Sequence, residues 1–386
     1  MNYLIGIDIG TSGTKVSTFL DNGELIAQET SGYELFQPSV GWAEQNPDAW
    51  VNATVMCLRK IVDCNDIEIN KIKGISFSGQ MHGLVMLDEK YQVIRNSIIW
   101  CDQRTTKEME LMKHKVGNDL LLDITGNFAS TSLTAAKILW VKANDCEAYD
   151  KCRYFLLPKD YVRFKMTGVI ATEATDASGT QLMDLRKRTW SKEVCHNLNI
   201  NMGLLPPILE STDKSGTITK EFAKKTGLVP GIPVIAGAAD QPASAIGNGI
   251  IKEGLISDTL GSSGVVFAQV NNMTVDKYGR INTFCHAIPN TYCLMGVTQS
   301  TGLSMSWYVN NFYKETKHKY QQLNTDIMES DINKEIIYLP YLMGERTPHL
   351  NPNAKAVFFG MTGNSTRKDL SRAVMEGISF SQLDAL

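Results

Sequence analysis

The stretch Ile5-Gly6-Ile7-Asp8-Ile9-Gly10-Thr11-Ser12-Gly13 sets the fold expected of this chain. Leu4 to Ile9 is a short apolar run suited to a buried strand, and the glycine turn closes it. Thr14 to Leu20 reads as a second strand. Asp21-Asn22-Gly23 is a hairpin signal ahead of a third strand, Glu24 to Gln28. Strand, glycine turn, strand, hairpin, strand is not the order of a P-loop or dinucleotide-binding unit, where a helix follows the glycines at once. Lys15 also lacks the spacing of a Walker lysine. Backbone N–H groups in such a turn suit phosphate, because no side chain blocks close approach.

Further along, the pattern alternates strands and helices. Pro47 to Val62 reads as a helix with Asn46 as N-cap and Pro47 at the first helical position. Lys73 to Phe77 is a strand ending in Ser78-Gly79-Gln80-Met81-His82-Gly83. Val85 to Leu87 and Ser97 to Trp100 read as strands, Thr106 to Val116 and Ala135 to Lys142 as helices. Pro233 to Ala238 is a buried strand that stops at Ala239-Asp240-Gln241-Pro242, where a helix begins. Leu255 to Asp258 and Val265 to Val270 flank a second glycine turn, Gly261-Ser262-Ser263-Gly264. Aligned with Gly10-Thr11-Ser12-Gly13, it suggests a distant internal repeat, with chance likeness of two Gly/Ser turns as the alternative. Two such turns, one per domain, would grip a polyphosphate between them.

With 386 residues the chain is too long for one ordinary core, so two domains are expected, 1–246 and 247–386. The hydrophobic share of 43% and charged share of 20% are those of a globular protein, and a net charge of −3 gives no footprint for nucleic acid or an anionic membrane. The eight cysteines include no Cys-x-x-Cys pair and read as reduced core thiols, while the six histidines lack zinc-ligand spacing. There is no signal-peptide pattern at the N-terminus and no apolar span, so a cytoplasmic protein is expected. Arg367 to Leu386 has helical periodicity and stops without a capping glycine or polar tail, so the chain is read as incomplete.

Phosphoryl transfer needs phosphate donors, a metal that spreads charge and a base for the acceptor hydroxyl. Gly10, Thr11, Ser12 and Gly13 fit the first need. Asp8, at a strand end, is placed to hold Mg²⁺, or else it caps the turn. Asp240 sits where an apolar strand meets a helix among small residues; it is either a general base on a sugar hydroxyl or a helix cap. His82, between glycines in Gly79-Gln80-Met81-His82-Gly83, suits sugar hydroxyls or a structural role. Trp100-Cys101-Asp102-Gln103-Arg104 mixes an aromatic face with polar groups, as carbohydrate sites do.

Taken together these residues resemble the FGGY family of carbohydrate kinases. Gly6 to Gly13 is similar to its first phosphate motif, Gly79 to Gly83 to the sugar-site turn of members acting on D-xylulose, and Gly237-Ala238-Ala239-Asp240-Gln241 to the segment carrying the catalytic aspartate. Lys137 to Trp140, Leu156 to Tyr161 and Leu339 to His349 are similar to further blocks, and Ala356 to Glu376 to the second family signature. The resemblance runs from Tyr3 to Leu386. It implies an α/β, actin-like (ribonuclease H-like) fold of two domains with a central cleft, the second incomplete. The implied activity is MgATP-dependent phosphorylation of D-xylulose to D-xylulose 5-phosphate. It assigns Asp240 as base and sugar ligand, with Gln80, Met81, His82, Trp100 and Asp102 also on the sugar. Asp8 is assigned to the metal and Gly261, Ser262, Ser263 and Gly264 to phosphate. Another sugar kinase of the family (acting on gluconate, ribulose or a deoxysugar) and a non-catalytic sugar-binding fragment are the competing readings. A homodimer is the assembly left open. Ser262 stands where the family often has threonine, and a glycine-rich adenosine loop found in family members has no counterpart in this sequence.

Overall fold

A computed structural model describes residues 1–64 and 67–386, together with the side chains of all of these but Cys64. The described chain divides into two compact units, one formed by Met1–Ile251, Asn271–Thr274 and Thr283–Tyr292, the other by Lys252–Val270, Val275–Asn282 and Cys293–Leu386.

The first unit is built on a mixed sheet. Its strands are β1 (Tyr3–Ile9), β2 (Gly13–Leu20), β3 (Leu25–Gly32), β4 (Ile72–Gly79), β5 (Lys214–Thr217), β6 (Pro233–Ile235) and β7 (Ala238–Ala239). They lie in the order β5-β6-β4-β1-β2-β3, with β7 also paired to β4. β1 runs antiparallel to β2 and β2 to β3, as the glycine turn and the hairpin require. β4 lies parallel to β1, β6 and β7. Side chains alternate across a strand, so Ile5, Ile7, Ile9, Ile75 and Phe77 turn to one face and are buried there. They pack in one core with Trp50, Leu58 and Ile61 from α1 (Pro47–Cys64) and Tyr161 and Val162 from α2 (Pro158–Thr167). Asn46 caps α1 as expected, its Oδ1 accepting the Asp48 N–H at 3.0 Å. The opposite face of the sheet carries small or polar residues: Gly6, Asp8, Ser17, Ser76 and Ser78.

One expected strand is broken. Pro233 to Ala238 reads as continuous in sequence, yet it divides into β6 and β7 around Gly237, which adopts φ +78°. A Cβ there would stand 2.3 Å from the Phe77 carbonyl oxygen, so only glycine fits. The break lets β7 restart against the end of β4, pairing Ala238 with Ser78 and Ala239 with Gly79. The helix that follows, α4 (Asp240–Gly247), begins at Asp240, within the stretch where it was expected; α3 (Ala174–Ser178) packs against β7 from a buried turn.

In the second unit β8 (Ile256–Leu260), β9 (Gly264–Val270) and β10 (Tyr292–Thr298) are neighbours in one sheet. Helices α5 (Thr301–Phe312), α6 (Lys319–Met328) and α7 (Arg367–Ala385) surround a core of Tyr308, Tyr313, Leu323, Tyr338, Val374 and Ile378. The expected C-terminal helix is present, and Thr366 and Asp369 close a capping box at its start. Seven cysteines are described as free thiols and five of them are buried. The side chain of Cys64 lies outside the described residues. Among the described residues no helix is long and apolar enough to cross a membrane.

Candidate active site

Three parallel strands of the first unit end at the same edge. Ile9 of β1 is level with Gly79 of β4, and Gly79 with Ala239 of β7. The residues that follow are Gly10, Gln80 and Asp240, so the glycine turn, the Gln80–Gly83 turn and the candidate base emerge side by side. The carboxyl edge of parallel strands is where α/β folds bind ligands. A pocket of about 530 Å³ opens on the polar face just below, lined among others by Gly6, Asp8, Lys15, Ser78, Asp240 and Gln241.

The first glycine turn has its polarity fixed by its neighbours. The Gly10 carbonyl accepts from the Tyr33 hydroxyl and, at 3.3 Å, from Gln80 Nε2. The Thr11 carbonyl accepts from Gln45 Nε2 at 2.7 Å, and Gln45 Oε1 in turn accepts from Gln80 Nε2 at 2.9 Å and Trp50 Nε1 at 3.2 Å. Trp100 Nε1 donates to Thr11 Oγ1 at 2.9 Å. The Gly10 N–H closes the turn onto the Gly13 carbonyl at 3.1 Å. Among the described residues nothing accepts from the N–H groups of Thr11 or Ser12. A Cβ on Gly13 would meet the Ser31 carbonyl oxygen at 2.8 Å, which explains glycine where β2 and β3 pack. The turn thus leaves two N–H donors open and keeps the carbonyls of Gly10, Thr11 and Gly13 occupied, as suits an anion site.

The second glycine turn, in the other unit, is wired alike. The carbonyls of Gly261 and Ser262 accept from the N–H groups of Gly302 and Leu303 at 2.9 and 3.1 Å, at the start of the helix Thr301–Phe312. Among the described residues the N–H groups of Ser262 and Ser263 have no acceptor. The match to the first turn is inexact: Leu260 pairs with Gly264, whereas Ile9 pairs with Thr14, so the second turn is one residue tighter.

Asp240 is half-buried and is the first residue of its helix, the N-cap position being Ala239, so the cap reading does not hold for it. Burial pushes its carboxyl up to about 7, with the nearby charge of Asp8 adding to the rise against the Gln241 N–H. Asp8 is half-buried on the pocket floor. A carboxyl titrating near neutrality next to a second carboxylate is the pattern of an acid–base group.

The expected sugar residues divide. His82 adopts φ +67° and its Nδ1 lies 3.1 Å from the Gly179 carbonyl oxygen, while Thr134 Oγ1 donates to the His82 carbonyl at 3.2 Å. Met81 is buried in the same turn. Gln80 is buried and Trp100 half-buried; the Trp100 N–H goes to the glycine turn, and the Gln80 amide divides its hydrogens between the turn and Gln45. Asp102 is a correction. It is fully buried, and its oxygens accept from the Ala43 N–H at 2.6 Å and from the Arg104 backbone and guanidinium at 2.7 to 3.0 Å. No surface of Asp102 is left for a sugar. Arg104 itself stands 3.7 Å from the Trp42 ring centroid and 4.8 Å from that of Trp140, and pairs with Glu44 at 2.7 Å. Sequence reading also missed Gln45 and Tyr33, which act on the turn across 34 and 23 residues of chain; nothing local marks either.

Beneath the strand ends lies a fully buried ionic cluster. Lys159 Nζ is 2.8 Å from Asp160, 3.0 Å from Glu173 and 2.9 Å from Asp176, and Arg163 reaches Asp160 at 3.1 Å. Two cations face three carboxylates. Burial, with Asp160 and Glu173 alongside, pushes the Asp176 carboxyl up to about 8 despite Lys159.

In the first unit, a phosphate-type turn on the same sheet edge as a strand-end carboxyl tuned toward neutrality is the arrangement of a phosphoryl-transfer class of site. Comparison with known proteins identifies it further. The model of the FGGY family of carbohydrate kinases, N-terminal domain, matches residues 3–247, and that of the C-terminal domain matches residues 257–384. The chain belongs to the FGGY family of carbohydrate kinases, and its fold is the α/β, actin-like one expected. It is 41% identical to the xylulose kinase of Bacillus subtilis (strain 168), over 99% of this chain and 76% of that protein. A solved structure from Brucella ovis, described as a xyloylose kinase, matches with a TM-score of 0.93 at 32% identity, over 99% of this chain and 78% of that one. A gluconate kinase from Lactobacillus acidophilus gives a TM-score of 0.92 at 29% identity, over 99% of this chain and 77% of that one.

Proposed function

We propose that this carbohydrate kinase transfers the γ-phosphoryl group of ATP to a hydroxyl of D-xylulose, giving D-xylulose 5-phosphate and ADP. The observation that carries the chemistry is Asp240, a carboxyl raised to about 7 and seated one strand-end away from a turn of unbonded amides. Asp240 accepts the hydroxyl proton as the sugar oxygen bonds to phosphorus and the bridging P–O bond to ADP breaks. The Thr11 and Ser12 N–H groups, with the hydroxyl of Ser12, hold phosphate oxygens. The turn at Gly261, Ser262, Ser263 and Gly264 serves the same purpose in the second domain, whose join with the first we place near residue 247.

Among the described residues no three His, Cys, Asp or Glu side chains gather to hold a metal by themselves. That suits Mg²⁺, which is held by one or two carboxylates together with substrate phosphates. Asp8 is the carboxylate we assign to it; when bound, the ion spreads the charge of the phosphates. Met81 and His82 contact the sugar, while Gln80 and Trp100 act on it only through the turn they hold. D-Xylulose is preferred as the substrate because of the 41% identity to a xylulose kinase along nearly the whole chain. The fold alone does not choose, since a gluconate kinase superposes almost as well. Coupled ADP release with D-xylulose, D-ribulose, gluconate and a deoxysugar tests the assignment. A clear preference for D-xylulose in kcat/KM is expected. Equal rates, or a preference for gluconate, overturn the substrate; sugar binding without any turnover overturns the kinase reading in favour of a binding fragment.

A further inference from the structure

The proposed base does not inherit its position from a long strand. β7 is two residues long, and the left-handed Gly237 separates it from β6. Backbone bonds hold part of this stretch: the N–H groups of Ala236 and Gly237 donate to the carbonyls of Asp213 and Ser211 at 2.8 and 3.0 Å, and β7 pairs with β4. Two side-chain bonds, one on either side of the break, come from the buried cluster. Arg163 Nη1 donates to the Ala236 carbonyl at 2.6 Å, and Thr175 Oγ1 accepts the Ala239 N–H at 2.8 Å. Ala239 is the residue immediately before Asp240.

The direction of the second bond is forced. Glu173 Oε1 lies 2.8 Å from Thr175 Oγ1, 3.0 Å from the Asp176 nitrogen and 3.0 Å from Lys159 Nζ. Its Oε2 accepts from the Thr175 N–H at 2.7 Å and from Ser211 Oγ at 3.0 Å. Every one of these partners other than the Thr175 hydroxyl can only donate or is placed to donate, so Glu173 serves as an acceptor throughout. The single hydroxyl hydrogen of Thr175 therefore goes to Glu173, and its lone pair is left for Ala239. Thr175, Glu173 and Lys159 are all fully buried, so water does not substitute for any link. The same lysine supports the neighbouring strand end: a Cβ on Gly79 would lie 2.9 Å from Lys159 Cβ.

We propose that Thr175 is a positioning residue for phosphoryl transfer: oriented by Glu173 and Lys159, its hydroxyl holds the Ala239 N–H and so sets the place of the Asp240 carboxylate. This rests on the reading of Asp240 as the base. The test is steady-state kinetics with D-xylulose and MgATP on Thr175→Val, which keeps the shape and removes the hydroxyl, and on Thr175→Ser, which restores it, with Asp240→Asn alongside. Thr175→Val is expected to lose roughly 10- to 100-fold in kcat, the scale of a base displaced by about an ångström, with KM for the sugar within about threefold. Thr175→Ser is expected to recover most of the loss. Wild-type kcat in folded Thr175→Val overturns the proposal, as does a loss that Thr175→Ser shares in full. If Thr175→Val does not fold, Thr175→Ala against Thr175→Ser, which differ by one oxygen, gives the same comparison: equal rates overturn the proposal. An inactive Asp240→Asn with a normal Thr175→Val sinks the positioning role alone, whereas an active Asp240→Asn sinks the base assignment.

Discussion

Asp240→Asn should make the protein more stable while disabling it, and the gain should depend on pH in a defined way. Asparagine keeps the size of the side chain and an oxygen for the Gln241 N–H but carries no charge to desolvate or to set against Asp8. The native carboxyl titrates near 7 against an ordinary value of 3.8. The sign follows from proton binding: between those values the native state holds a proton that the unfolded state has released, so stability falls as pH rises. The cost is absent below about pH 4, grows through the interval up to about pH 7 and is constant above it. At about 1.4 kcal/mol per pH unit, a rise of about 3 units caps the cost at ~4 kcal/mol, and relaxation around a half-buried group brings the expected gain to about 2 kcal/mol. Thermal or urea unfolding of wild type and Asp240→Asn, without ligands and with chelator, should give curves that nearly coincide near pH 4 and separate up to about pH 7. The same variant should lose at least about 100-fold in kcat, the lower end of what a positioned base contributes. A gain of the same size at both ends of the pH range would refute the reasoning, since it would not come from the carboxyl's charge. So would a variant less stable than wild type near pH 8, where the charge is fully present.

Two further outcomes separate the roles of the residues around the turn. Trp100→Phe keeps the ring and removes the bond to Thr11 Oγ1; one such bond is worth about 1 kcal/mol, so KM for ATP should rise roughly fivefold with KM for D-xylulose unchanged. The opposite split in KM would return Trp100 to the sugar. Arg104→Met leaves Asp102 buried without its cation, and unfolding measurements should show a loss of about 3–5 kcal/mol. Adding Asp102→Asn should recover part of that loss; no recovery would mean that the stacking on Trp42 and Trp140, rather than the ion pair, is what Arg104 supplies.

Much of the first unit is legible because its signals are local. The glycine turn, the Asp21-Asn22-Gly23 hairpin and the Asn46-Pro47 helix start each occupy a few adjacent residues, and each appears in the structure where it was read. Asp240 was legible as a junction residue, but not as a carboxyl with a raised titration point. That rise depends on burial and on Asp8, which is far away in sequence and brought close by parallel pairing through β4. The break at Gly237 was hidden for a different reason. Val234 to Ala239 is uniformly small and apolar, so hydrophobic pattern runs straight through a residue whose backbone is left-handed. Asp102 misled because an acid beside a tryptophan looks like a sugar contact. The partner that claims it, Arg104, was only two residues away, and Glu44 and Trp42, which complete its cage, were not. Long-range side-chain-to-backbone bonds such as Gln45 to Thr11 leave no mark in either segment taken alone.

The wiring of the two glycine turns has a consequence for what each will reject. Their carbonyl oxygens are already engaged, by Tyr33, Gln80 and Gln45 in one and by the N–H groups of Gly302 and Leu303 in the other. A turn whose free backbone groups are mainly N–H donors discriminates by sign before it discriminates by shape. Free cations find these carbonyls already taken and are better served by the carboxylate floor at Asp8, while anions meet the open N–H groups. Charge sorting of this kind is built into the backbone and does not depend on a charged side chain in either turn.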